Sequence, residues 1–187
     1  MTFSFRHITL LIGIGLIIFS FLFFGRETGT YDVLGLIGFV IAAISFLIIL
    51  IKSDTLKSKI AWTLIVVLAI IIEQLAEPLL IKSSYYIFIS RNQTKLKGLN
   101  KIMSTKKNGV HLMPTLDTFA TKDFTLNEIN EIHSLITGTN ISLIEKDSDK
   151  IFYRTFGMLD VSNGVFYFYG KNKPDDRFKH ISGNWFY

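Results

Sequence analysis

Cysteine is missing from all 187 residues. Its absence excludes disulfides, a thiol nucleophile and any thiolate metal site, and it suits an oxidising compartment without requiring one. Internal repeats and long low-complexity linkers are missing too. So are the local patterns that announce enzyme chemistry: there is no glycine-rich phosphate loop, no HExxH and no nucleophile elbow. His111, His133 and His180 are scattered, and His133 sits beside an apolar helix face. No catalytic residue emerges, and the chain reads as a non-enzyme without a cofactor.

Charge is missing from long stretches. Ile8–Phe24 and Val33–Ile51 carry none, and Ile60–Ile81 is broken only by Glu73, Gln74 and Glu77. Each run reaches the roughly 17–25 helical residues that cross a bilayer core about 30 Å thick. The first run exceeds a signal peptide's apolar region of roughly 7–15 residues, and "FLFFGRETG" offers no small-x-small cleavage site. It is therefore read as an uncleaved helix. The expected fold is a membrane α-helical bundle of three transmembrane helices, spans about 8–24, 33–51 and 60–81, followed by a small α+β domain. Short connections, "GRETGTYD" and "KSDTLKSK", make the spans antiparallel neighbours. Residues 1–82 form the membrane region and 83–187 the soluble domain.

In the soluble part, "SYYIFIS" (84–90) reads either as a strand or as an interfacial continuation of the third helix. "NQTKLKGLNKIMS" places Leu96, Leu99 and Met103 at helical spacing, with Asn92 as N-cap. "KKNGVHLMP" reads as a turn and a short extended piece. In "FTLNEINEIHSLITG", Thr125 and Glu128 form a capping box, Phe124 and Ile129 a staple, and Gly138 closes the helix. Ile129, Ile132, Leu135 and Ile136 are its apolar face. Four β segments follow, "ISLIEKD", "KIFYRTFGMLDV", "GVFYFYGKN" and "RFKHISGNWFY", with turns between them at Asp147–Lys150, Ser162–Gly164 and "NKPDD", and Ser182–Gly183–Asn184 also reads as a turn. They imply an antiparallel meander of about four strands. Alternation puts Phe152, Arg154, Phe156 and Met158 on one face, opposite Tyr153 and Thr155. Helices are expected to cover one face of the sheet, leaving the other for a partner, the membrane surface or a second copy.

Three groups of residues are candidates for function. Glu73 and Glu77 are four apart on one helix face, and Glu73 lies about 20 Å along the axis from Ile60, near mid-run. A charge at that depth costs roughly 2.5–3.5 kcal/mol, so it should face protein or water. The two carboxylates and Gln74 suggest a polar path or a proton- or cation-binding pair. The bland alternative is that Pro78 ends the helix early and leaves both glutamates at a wet margin. Two carboxylates without a nearby histidine do not make a metal site. The second group, Gly35, Gly38, Ala42 and Ser45, is a small-residue stripe for close helix packing, here expected to meet the Ala69/Glu73/Ala76 face. The third is the basic stretch Arg91, Lys95, Lys97, Lys101, Lys106 and Lys107, which contains no acid. It suits anionic lipid headgroups or a small anion, and the bland reading is a solvated helix face. Nucleic acid is disfavoured, because no aromatic residue is interleaved with these cations.

Lys52, Lys57 and Lys59 in the second connection outweigh Arg26 in the first. The positive-inside rule then makes the second connection cytoplasmic and the soluble domain extracytoplasmic, although the basic stretch argues the other way. The expectation is a multi-pass inner-membrane protein whose soluble domain binds or senses a protein, an envelope component or lipid. Immunity-type protection and an accessory role in an assembly both fit. The alternative is an oligomeric membrane effector, with a Glu-lined conductance gated by an anion at the basic stretch. Whether the chain forms a homo-oligomer is not legible.

Overall fold

The computed structural model describes residues 5–21, 30–52, 55–113, 123–158, 161–170 and 174–187. Outside them lie the end of the first apolar run (22–24), Arg26, Pro114, Asn172 and Lys173, and the side chains of Phe156 and Met158 are likewise not described. Four helices come first: α1 (Phe5–Phe21), α2 (Thr30–Lys52), α3 (Leu56–Arg91) and α4 (Gln93–Ser104). Strand β1 (Val110–Leu112) precedes α5 (Leu126–Ile136), and β2 (Leu143–Lys146), β3 (Lys150–Met158) and β4 (Val161–Phe168) follow. A hairpin of β5 (His180–Ser182) and β6 (Trp185–Phe186) completes the chain. Contacts divide the molecule into two units, with the helices up to Ser83 in one and Ser84–Tyr187 in the other.

In the first unit, α1 and α2 meet backbone to backbone. A Cβ placed on Gly13 would stand 2.7 Å from the Gly38 carbonyl oxygen and from the Ala42 nitrogen, and one on Gly35 would stand 2.7 Å from Ser20 Oγ. Such an approach leaves no room for side chains. Ser45 donates its hydroxyl to Thr9 Oγ1 at 2.9 Å, and Thr9 donates to the Arg6 carbonyl. The small-residue stripe of α2 therefore packs on α1, while its Gly35 and Ala42 share a hollow with Ala69 and Glu73 of α3. The reason is Gly13, which gives α1 a matching gap. Helix α3 is held instead by larger groups: Trp62 joins Leu10 and Ile49 in a buried cluster flanked by Ile14, Phe46 and Val66. The His7 ring stacks on Trp62 at 4.3 Å.

Helices α2 and α3 are long and apolar enough to cross a membrane, and α1 is a shorter apolar helix. Many of their large side chains, including Leu36, Leu64, Leu75 and Leu79, point outward. Helix α3 does not stop at Pro78 but runs through it to Arg91. Proline removes one backbone donor and disfavours a helix interior without forbidding it. "SYYIFIS" is accordingly helical, and its Tyr85, Phe88 and Ile89 are buried. Asn92 does not cap α4; its side-chain amide donates to the Phe88 carbonyl at 2.9 Å.

The second unit is α+β. Its sheet has six strands in the order β1-β2-β3-β4-β6-β5, and every pairing is antiparallel. Two strands exceed the expected four. Val110–Leu112 pairs with β2 as an edge, and the last segment turns back on itself at Gly183, where φ is +54°. Glycine adopts that conformation at no steric cost. Ser162–Gly164, expected as a turn, lies inside β4 opposite Gly157, Phe156 and Arg154. Gly164 is needed for closeness: a Cβ there would collide with the Tyr153 carbonyl oxygen, beside the bulge between Arg154 and Phe156.

On one face of the sheet Ile144, Tyr153 and Val165 lie in register and are fully buried. Helix α4 covers that face, and the Tyr153 hydroxyl donates to Asn100 Oδ1 at 2.6 Å. Burial pushes that phenol well above its ordinary pKa. Leu96, Leu99 and Met103 of α4 and Ile132 of α5 complete the core, while Ile129, Leu135 and Ile136 are half-buried. The capping box is present as expected, with the Glu128 N–H on Thr125 Oγ1 and the Thr125 N–H on Glu128 Oε2. On the opposite face Phe152 stacks on Phe166 at 4.6 Å, and Phe178 and Phe186 of the same chain lie edge-on against Phe168. Lys146 is buried at the β1–β2 edge, donating to Asn108 Oδ1 at 3.0 Å.

Candidate functional site

Among the described residues, each unit has a hollow lined by at least one residue that the sequence singled out. In the first unit a cavity of about 510 Å³ lies among α1, α2 and α3, and Glu73 is one of its walls. Glu73 is half-buried near the middle of α3, which runs without a break past Pro78. The other described lining residues are apolar or glycine, except Ser20, whose hydroxyl donates to the Ile17 carbonyl at 2.7 Å. Gln74 is exposed and Glu77 half-buried; neither lines the cavity. None of the three makes a side-chain hydrogen bond or ion pair with a described residue. From the stripe of α2, Gly35 and Ala42 reach the cavity wall, whereas Gly38 and Ser45 do not.

The basic stretch separates into two kinds of cation. Lys95 donates to the Thr137 carbonyl at 2.6 Å, closing the end of α5. Lys106 holds both oxygens of Glu128 at 2.7 Å and stands 4.8 Å from the centre of the Phe124 ring. The Lys106 hydrogen bond, then the Thr125 N–H, keeps the Glu128 carboxyl below its usual range. Lys95 of α4 and Lys106, two residues beyond its end, tie this segment to α5 and its C-cap Thr137. Arg91, Lys97, Lys101 and Lys107 are exposed and bond to no described side chain or backbone group.

Of those four, Lys97 alone enters a hollow. It lines a cleft of about 390 Å³ in the second unit together with Gln93, Asn100, Tyr167, Ser182, Asn184 and Trp185. The turn at Gly183 forms part of the rim. The Tyr167 and Trp185 rings lie 4.9 Å apart, both half-buried. No carboxylate is among the lining residues, so Lys97 sets the sign of the field there. Amides, a hydroxyl and aromatic faces beside one cation are the groups of a binding site for a small anion. They do not supply a general base: His180, the nearest imidazole in sequence, faces the Gly183 carbonyl at 3.0 Å.

Sequence reasoning found Lys97 but missed Asn100, Tyr167, Asn184 and Trp185. No spacing links them, because the β4–β6 pairing and α4 bring distant segments together. No group of three or more His, Asp or Glu able to hold a metal occurs among the described residues. No family model matches the chain, and comparison with curated proteins and with solved structures gives no significant match.

Proposed function

We propose that the chain is a multi-pass inner-membrane protein in which α1, α2 and α3 all span the bilayer and tether a non-enzymatic binding or sensing domain. Its ligand is a small anion, taken up in the Lys97 cleft. The observation that carries this reading is the division within the basic stretch. Lys95 is engaged by a backbone carbonyl and Lys106 by the Glu128 carboxylate, whereas Lys97 faces a cleft without a carboxylate. Membrane insertion is supported by the outward-facing apolar side chains of α2 and α3, which water would not tolerate over so long a surface. The helices satisfy their own backbone groups, as a bilayer demands. The loop lysines favour an extracytoplasmic domain.

The reading is tested with the full-length protein. Alkaline carbonate should leave it in the membrane fraction, and a reporter fused after Tyr187 should be active outside the cytoplasm. In detergent, AMP and inorganic pyrophosphate should perturb Trp185 fluorescence. Lys97→Gln should weaken that response about tenfold, the effect of one lost charge-assisted contact. Lys107→Gln should leave it unchanged. Equal responses in both variants would refute the cleft. Vesicles rich in phosphatidylglycerol that compete away AMP would assign the same cations to lipid. The conducting alternative draws support from Glu73, but the walls around it are apolar and Glu77 is not among them.

A further inference from the structure

We infer that the cavity among α1, α2 and α3 binds lipophilic cations, molecules that join an apolar body to one positive charge. The inference rests on the reading that these helices lie in a bilayer. The cavity volume of about 510 Å³ falls within the roughly 300–1,000 Å³ of ligand sites. Leu10, Ile17, Phe39, Phe46 and Ile70 supply apolar walls from all three helices. Glu73 is the one ionisable side chain among the described lining residues, and it has no partner among them.

These facts select the ligand's chemistry. An ionised carboxylate in apolar surroundings is costly unless a positive charge pairs with it. A bare divalent cation would find one carboxylate where it needs six or more oxygens. A hydrated ion would meet walls that offer water almost nothing. A neutral acyl chain would fill the volume and leave Glu73 unpaired, and an anion would be repelled. A cation with a bulky apolar shell satisfies the walls and the carboxylate together.

Two probes of nearly the same shape and opposite charge isolate the effect of Glu73: tetraphenylphosphonium and tetraphenylborate. Binding is measured by equilibrium dialysis of the full-length protein in phosphatidylcholine nanodiscs, with empty nanodiscs subtracted. The phosphonium should bind saturably, at least about tenfold more tightly than the borate, a modest share of a carboxylate–cation attraction in a low dielectric. Glu73→Gln should abolish that preference, Glu73→Asp should keep it, and Glu77→Gln and Lys97→Gln should not change it. Ala43→Phe, which fills the cavity without touching the charge, should block both probes. Equal binding of the two probes by the parent, or an undiminished preference in Glu73→Gln, would overturn the inference. Failure of the membrane reading would show separately, as release of the chain by alkaline carbonate.

Discussion

Gly13 and Gly38 sit at the centre of one unit and Tyr153 at the centre of the other, and neither arrangement would serve in the other's place. In the first unit α1 and α2 meet through their smallest residues, Gly13 and Gly38, and most large side chains point out, apart from the cluster of Leu10, Ile49 and Trp62. In the second unit a whole phenol is enclosed, and its hydroxyl is met by Asn100. Water drives large apolar groups inward in the second unit. Under the membrane placement proposed for the first unit, that drive is absent between helices, and close backbone contact takes its place. Polar groups are met unevenly. Lys146 and Tyr153 in the second unit and Ser45 in the first find oxygen partners, whereas the half-buried Glu73 finds none among the described residues of its unit.

The largest expected effect tests whether the two units are independent. Gly164→Val drives a side chain into the Tyr153 carbonyl and should destabilise the second unit by about 3 kcal/mol or more. Hydrogen exchange read by mass spectrometry should show β3 and β4 losing protection while α1 and α2 keep theirs; loss in both would merge the units. Gly13→Leu attacks the other side of the comparison, at a cost of about 1–3 kcal/mol from overpacking. Because the chain has no cysteine, Thr9→Cys with Ser45→Cys reports cleanly on the crossing. That pair should cross-link readily in the parent and poorly with Gly13→Leu, whereas Gly15→Leu, facing open space, should change little.

Tyr153→Phe removes a buried hydroxyl and strands Asn100 Oδ1, which should lower the unfolding free energy of the second unit by about 1–2 kcal/mol in urea titrations. Thr125→Ala removes one capping bond and should cost about 1 kcal/mol in the same assay. The smallest effect depends on pH. The Glu128 carboxyl has a folded-state pKa below its ordinary value of 4.5, so its contribution is complete above that value. It is lost as the pH falls through the depressed folded value. Glu128→Gln should therefore be less stable than the parent at pH 7 and converge with it in acid. A gap that stays constant down to pH 2 would show that the pairing with Lys106 contributes nothing.

What could be read from the chain depended on how far apart the interacting residues lie. Thr125 and Glu128 are one helical turn apart, and their mutual capping followed from that spacing alone. The stripe from Gly35 to Ser45 was legible as a surface, but its partner was not, because two neighbouring helices competed for it and Gly13 decided between them. Gly164 looked like a turn residue because glycine serves turns and tight backbone approaches alike; only the pairing with β3 tells them apart. Ser182–Gly183–Asn184 was legible as a turn, but β5 and β6 on either side of it are too short to show alternation. The cleft escaped because Lys97 and Trp185 meet only after the sheet has formed.

Lys146 gives the molecule a built-in clock. Its ammonium is enclosed between Asn108 and the Tyr169 ring, 5.6 Å from the ring centre, while Lys101 and Lys107 stand in the open. An acylating reagent will modify the open amines at once and must wait at Lys146 until the β1–β2 edge parts. The ratio of those two labelling rates measures how often that edge opens, in unmodified protein and in intact membranes, with the exposed lysines as internal standard.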